Sequence, residues 1–135
     1  MRSFNRYRFG AHQSGVTLME LMVVMVIVGI LAAIAYPSYR AQVIRTHRTE
    51  GRAALMQTAQ QLERCYTRAS TYVDCANDNL PYDTDNGLYR ITVDDDLDVN
   101  AYTLIATPLG GQLQDAPCLQ LKLDQANRRT PPACW

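Results

Sequence analysis

From Leu21 to Ala35 every residue is apolar or glycine. Extended back through Glu20 and Thr17 to Val16, the run reaches the length of about 20 residues that a bilayer-crossing helix needs. Lipid offers the backbone no hydrogen-bond partner, so the segment must be helical despite its many β-branched residues. Pro37 follows at once; it removes one donor and crowds the preceding turn, which predicts a kink. Beyond it Leu55, Ala59, Leu62 and Tyr66 fall at i, i+4, i+7 and i+11, while Arg45, Arg48, Glu50, Arg52, Glu63 and Arg64 occupy much of the remainder. That is the pattern of an amphipathic helix. One helix is predicted over 16–67, with its apolar part at 16–36 and a local weakness at Gly51.

Glu20 is the anomaly in this run. A lone carboxylate in lipid is costly and finds a partner or takes up a proton. Residues 1–15 carry Arg2, Arg6 and Arg8, contain no acid, and end in Ser14-Gly15, so they read as a processing leader. One reading treats the whole N-terminus as a secretory signal cut after Ala33-Ile34-Ala35, leaving a chain that starts at Tyr36. Under that reading Glu20 brings no benefit. The other places the cut after Gly15, ahead of the apolar run, and creates an α-amine on Val16. That amine and Glu20 lie four residues apart, one turn of helix. The amine of a neighbouring copy can then neutralise Glu20, and a copy inserted out of register leaves both charges unpaired. Removing the three leader arginines from the 13 basic residues leaves 10 against 13 acidic ones. Such a balance argues against a chain built for non-specific nucleic-acid binding.

Residues 68–86 have loop composition, rich in Asp and Asn with Pro81. Three alternating segments follow, Leu88 to Val93, Ala101 to Thr107 and Cys118 to Leu123. They predict an α+β head over 68–135, in which a three- to four-stranded antiparallel sheet packs its apolar face on the Leu55, Ala59, Leu62 stripe. Gln125 to Trp135 reads as a polar tail. Cys65, Cys75, Cys118 and Cys134 sit in a small polar region after an apolar N-terminus, which favours an oxidising compartment and two disulfides. Three pairings are open; Cys65 with Cys75 and Cys118 with Cys134 is favoured, since each closes a short loop at the boundary of a predicted element. A metal site is the competing use of the thiols, but there is no C-x-x-C pair and neither histidine lies near a cysteine cluster.

The stretch GVTLMELMVVMVIVGILAAIAYPSY, Gly15 to Tyr39, resembles the N-terminal signature of type IV pilins and their pseudopilin relatives, the class III signal cut by the prepilin peptidase. The resemblance implies cleavage between Gly15 and Val16, N-methylation of Val16, and a role for Glu20 in guiding subunit addition. Gly29 and Pro37 match the family's glycine and proline, near which the helix can loosen; Val16 departs from the commoner phenylalanine or methionine. Arg45 to Tyr66, Ala101 to Pro108, Asp115 to Gln125 and the final Cys134-Trp135 resemble the PilE-type minor pilins, in which the last two cysteines bracket the C-terminal loop. The pilin fold is thus implied. So are its partners: the major pilin, other minor pilins, the prepilin peptidase and the inner-membrane assembly platform. The implied location is a single pass through the inner membrane with the head in the periplasm, then the pilus at the cell surface. The implied roles are pilus assembly or initiation, with twitching motility, adhesion or DNA uptake behind it; a type II secretion pseudopilin and a competence-type DNA-binding pilin are the alternatives.

Other features carry less. Asp94-Asp95-Asp96-Leu97-Asp98 spaces acids like a calcium loop, yet Val99 stands where the glycine belongs and Ile105 where the glutamate does, so a solvated turn is expected. Asp83 to Gly87 also reads as a turn. His47 and His12 cannot make a catalytic set, no nucleophile elbow or phosphate loop exists, and no cofactor or enzymatic activity is expected. Lys122, Arg128 and Arg129 form a candidate basic patch for a pilus contact, a surface or DNA, against the plainer reading of a solvated face.

Overall fold

The structure, a computed structural model, describes residues 15–135. The leader and His12 lie outside the described residues apart from Gly15. Helix α1 spans Leu18–Ala69 and contains Pro37. Its start is capped by Thr17, whose Oγ1 accepts from the Glu20 amide at 3.2 Å, as a helix N-cap does. Its end lies two residues beyond the predicted Thr67, where Ser70 adopts a left-handed φ of 55° and its amide closes on the Tyr66 carbonyl at 2.8 Å. The chain divides into two units at Pro37 and Ser38.

In the first unit every described residue is exposed. Val16, Leu18 and Met19 are each more than 70% accessible, and Ile34 is 70%. Among the described residues, α1 is a helix long and apolar enough to cross a membrane, and none of its most apolar window is buried.

In the second unit, α1 buries Gly51, Leu55, Thr58 and Leu62. The predicted stripe is thus real but rotated: Ala59 and Tyr66 sit at its margin, and Gly51 and Thr58 join it. Gly51 is buried against Tyr89, so closely that a Cβ there would lie 3.1 Å from three of its ring carbons. Thr58 satisfies its hydroxyl with the Ala54 carbonyl at 2.9 Å and the Tyr82 hydroxyl at 2.8 Å, as a buried polar group must.

The sheet has five strands rather than three or four: β1 (Tyr82–Asp83), β2 (Tyr89–Val93), β3 (Thr103–Pro108), β4 (Leu121–Asp124) and β5 (Arg129–Thr130). They run antiparallel in sequence order. The register pairs Ile91 with Ala106, Leu104 with Leu123 and Ala106 with Leu121, which gathers the apolar side chains on one face. All of these are buried. β1 and β5 have only two residues each, too few for an alternation to register. The third predicted strand starts later than expected, at Leu121. Residues Ala116–Cys118 form a 3-10 turn instead, entered through Pro117, which cannot donate to a strand ladder, and Leu119 is left 47% exposed.

The predicted loop 68–86 also contains a short helix, α2 (Tyr72–Asn77), capped by Thr71, whose side chain accepts from the Val73 amide. Its position is set by the bond between Cys65 and Cys75. Tyr72, Cys75 and Ala76 are buried by it. Tyr72 and Tyr102 both donate to the Glu63 carboxylate, at 3.0 and 3.1 Å. Burial, reinforced by that carboxylate, pushes the Tyr72 hydroxyl up to about 12.

Candidate assembly interface

The N-terminal segment presents the residues that the sequence singles out in order, Gly15 and Val16 just ahead of α1 and Glu20 and Gly29 on it. Gly15 has open space around its α-carbon. Val16 is 71% exposed, and Glu20 lies in the first turn of α1, where a carboxylate also complements the helix dipole. Gly29, like Gly15, would meet nothing with an added Cβ, so its lack of a side chain is not required by packing within this chain. What this surface can do chemically follows from composition: a long apolar face calls for cover from water, and the one acid at its head calls for a cation or a proton in an apolar phase.

The second unit is organised by a polar ladder that the sequence did not reveal. Arg40 donates to Gln114 Oε1 at 2.7 Å. The Ile44 carbonyl accepts from Gln112 Nε2 at 2.9 Å. Arg48 grips Asp115 through both Nε and Nη2, at 2.8 and 2.6 Å, and Arg52 Nε donates to the Cys134 carbonyl at 2.8 Å. These four positions repeat every four residues on one side of α1. They seat the 3-10 turns Gly110–Gln114 and Ala116–Cys118 and the C-terminal loop. Asp115 is 4% exposed and Arg48 11%; the hydrogen bond and charge of Asp115 raise the Arg48 guanidinium above its ordinary value despite burial. The spacing of Arg40, Arg48 and Arg52 was the available signal, but their partners lie more than sixty positions away.

Cys118 is bonded to Cys134 and Cys65 to Cys75. The first bond closes the loop that carries β4 and β5. Within it the three residues of the basic patch do not share a surface. Lys122 pairs with Thr130, and Arg129 with Leu123, so the pleat sends Lys122 and Arg129 to opposite faces. Lys122 is bound to Asp94 at 2.8 Å, and this hydrogen bond holds the Asp94 carboxyl below its ordinary value. Arg128 is bound to Asp124 at 2.5 Å. Burial would raise the Asp124 carboxyl, but hydrogen bonds from the Arg128 backbone and side chain outweigh it and hold it low. Arg129 lies over the Trp135 ring at 5.2 Å, a cation–π distance, and the Trp135 indole donates to the Thr130 carbonyl. The acidic run resolves as a turn: Asp94 takes Lys122, Asp96 accepts from Thr103, and Asp98 accepts from the Val99 amide.

This fold and this terminus have known counterparts. Residues 10–36 match the prokaryotic N-terminal methylation motif. Residues 37–122 match the family described as type IV minor pilin ComP, DNA uptake sequence receptor. The chain therefore belongs to the type IV pilin family, with a head of the ComP type. It is a structural subunit rather than an enzyme.

Among individual proteins, the chain is 54% identical over 39 residues to the type IV major fimbrial protein FimA of Dichelobacter nodosus, covering 29% of this chain and 24% of that one. It is 35% identical over 71 residues to the type IV major pilin protein PilA of Myxococcus xanthus, covering 53% and 32%. These matches thus span less than a third of the first relative's length and 32% of the second's. A type IV pilin from Shewanella oneidensis has a similar structure, with a TM-score of 0.54 at 27% identity, over 68% of this chain and 97% of that one.

Proposed function

We propose that the chain is a minor pilin, cut between Gly15 and Val16, methylated at Val16, held in the inner membrane by the apolar part of α1, and drawn into the pilus by its neighbours. The observation that carries this reading is the exposed apolar helix headed by Glu20. An apolar surface of that length requires cover, and its single acid requires a cation, which the cleaved terminus of a neighbouring subunit supplies. The family match over 37–122 supports the minor role. The likeness to FimA covers only 39 residues, and so says little about the head.

The test is incorporation into sheared filaments. E20A and E20Q should both be processed normally, yet their share in the filament fraction should fall at least about tenfold, because an unpaired charge in an apolar phase costs several kcal/mol. E20Q keeps the shape and removes only the charge. Its normal incorporation would reject the pairing and leave Glu20 as a helix-start residue. Gly15→Ala should block processing, and terminal sequencing should find Val16 in the wild type; a mature start at Tyr36 would overturn the reading.

A second reading, DNA capture, is favoured by the match to a family of DNA uptake sequence receptors and by the exposed Arg129 on Trp135. It predicts a mobility shift of duplex DNA by the chain that weakens as salt rises and is lost in Arg129→Glu. Arg128→Glu should have a smaller effect, since Arg128 is already tied to Asp124.

A further inference from the structure

The β1–β2 connection contains an Asn-Gly pair, Asn86-Gly87, and both residues are exposed. Glycine after asparagine is the sequence most open to succinimide formation, since no side chain shields the attacking backbone nitrogen. Here two contacts oppose the reaction. The Gly87 amide donates to the Thr84 carbonyl at 2.7 Å, which keeps the nucleophile protonated and turned away. Asn86 Nδ2, the atom that must leave, donates to Glu50 Oε2 on α1 at 2.7 Å. The other Glu50 oxygen is sealed from solvent. Gly87 itself is at φ 64°, a left-handed conformation that costs glycine nothing.

We infer that Asn86–Gly87 is a modification site, a deamidating pair latched by Glu50, and that its reaction releases the β1–β2 turn from α1. When the turn opens, the Gly87 nitrogen loses its proton to solvent base and attacks Asn86 Cγ. A nitrogen–carbon bond forms, the Cγ–Nδ2 bond breaks, and ammonia leaves with a proton from solvent. Water then opens the succinimide at either carbonyl, giving aspartate or the β-linked isoaspartate at position 86. Nothing is oxidised or reduced.

The product cannot close the latch. A donor 2.7 Å from Glu50 Oε2 has become a carboxylate. Although burial works to raise the Glu50 carboxyl, its polar neighbours Thr84 and Asn86 hold it below its ordinary value, Asn86 through the hydrogen bond to Oε2. Two negative groups at that distance repel, and the turn swings out. Because Tyr89 follows within the same hairpin and its amide is bound to Thr84 Oγ1 at 3.1 Å, the release reaches the first residue of β2.

The test follows the full-length chain in detergent at mildly alkaline pH, with peptide mass mapping of the segment containing Asn86 and isoaspartate methyltransferase labelling of the product. Asn86 should convert readily in the chain unfolded in guanidinium and slowly in the native chain. Glu50→Ala should accelerate native conversion by about tenfold, the worth of one hydrogen bond to a charged group in an opening equilibrium, with an unchanged circular dichroism spectrum. Glu50→Gln, which retains a neutral acceptor, should convert at a rate between those of wild type and Glu50→Ala, and a rate equal to that of Glu50→Ala would overturn the latch. Equal rates in native and unfolded chains, an unchanged rate in Glu50→Ala, or an intact Asn86 in the unfolded chain would each overturn the inference. Should Glu50→Ala fail to fold, Asn86→Asp decides: faster hydrogen exchange at the Gly87 and Tyr89 amides supports the release, and wild-type exchange refutes it.

Discussion

Gly51 and Arg48 show how single residues on one helix do work that neither composition nor periodicity announces. The Tyr89 ring lies flat against Gly51, with three carbons 3.1 Å from where a Cβ would stand. Tyr89 is fully buried and cannot move aside. Gly51→Ala would gain about 1 kcal/mol of helix propensity but overpack this contact, which typically costs about 1–3 kcal/mol. The variant should unfold at lower denaturant than wild type. Arg48→Ala would strand the Asp115 carboxylate in the interior, and such a loss costs about 3–5 kcal/mol. The paired change of Arg48→Met with Asp115→Leu should recover a large part of it in the same unfolding measurement. The folded carboxyls of Glu50, Asp94 and Asp124 all lie below their ordinary values of 4.5, 3.8 and 3.8. Unfolded chains therefore bind more protons as the pH drops, so this stability is complete above those ordinary values and is lost as pH falls through the lower, folded ones. Chemical unfolding at graded pH should show a plateau near neutrality and a decline that begins around pH 4–5.

At the scale of elements, the C-terminal loop is tied to α1 and closed on itself by the Arg52 contact to the Cys134 carbonyl and the Cys118–Cys134 bond. The cysteines are 16 positions apart; a loop of about that length is worth about 3 kcal/mol when closed. Cys118→Ser with Cys134→Ser should lower the melting temperature and speed hydrogen exchange in β5, while β2 and β3, which share the longest ladder, remain protected. The sequence disclosed α1, β2 and β3 because each is long enough to display a period. It concealed α2, β1 and β5 for the converse reason, and it placed β4 too early because Cys118 and Leu119 continue the alternation that Pro117 and the disulfide interrupt. The basic residues divide for a related reason. Adjacent numbering put Lys122, Arg128 and Arg129 together, whereas pleating and local acids divide them.

On the scale of the molecule, the buried hydrophobic side chains of the described residues lie at Leu55 or beyond, with Gly51 packed on them through Tyr89. A chain starting at Ser38 should therefore fold by itself, with the unfolding midpoint of the full-length head. Loss of cooperative unfolding in that fragment would show that the apolar segment supports the head. The apolar run, the carboxylate inside it and the glycine before it were determined by the sequence alone, since their meaning lies in local composition and in helical spacing. The amphipathic stripe belongs with them. Only tertiary structure decided which side of that stripe is buried, why Gly51 is a glycine, and where Arg40, Arg48, Arg52 and Glu50 find their partners. Those facts depend on side chains from distant parts of the chain meeting at distances near 3 Å, and no period in a sequence encodes a meeting between segments that have periods of their own.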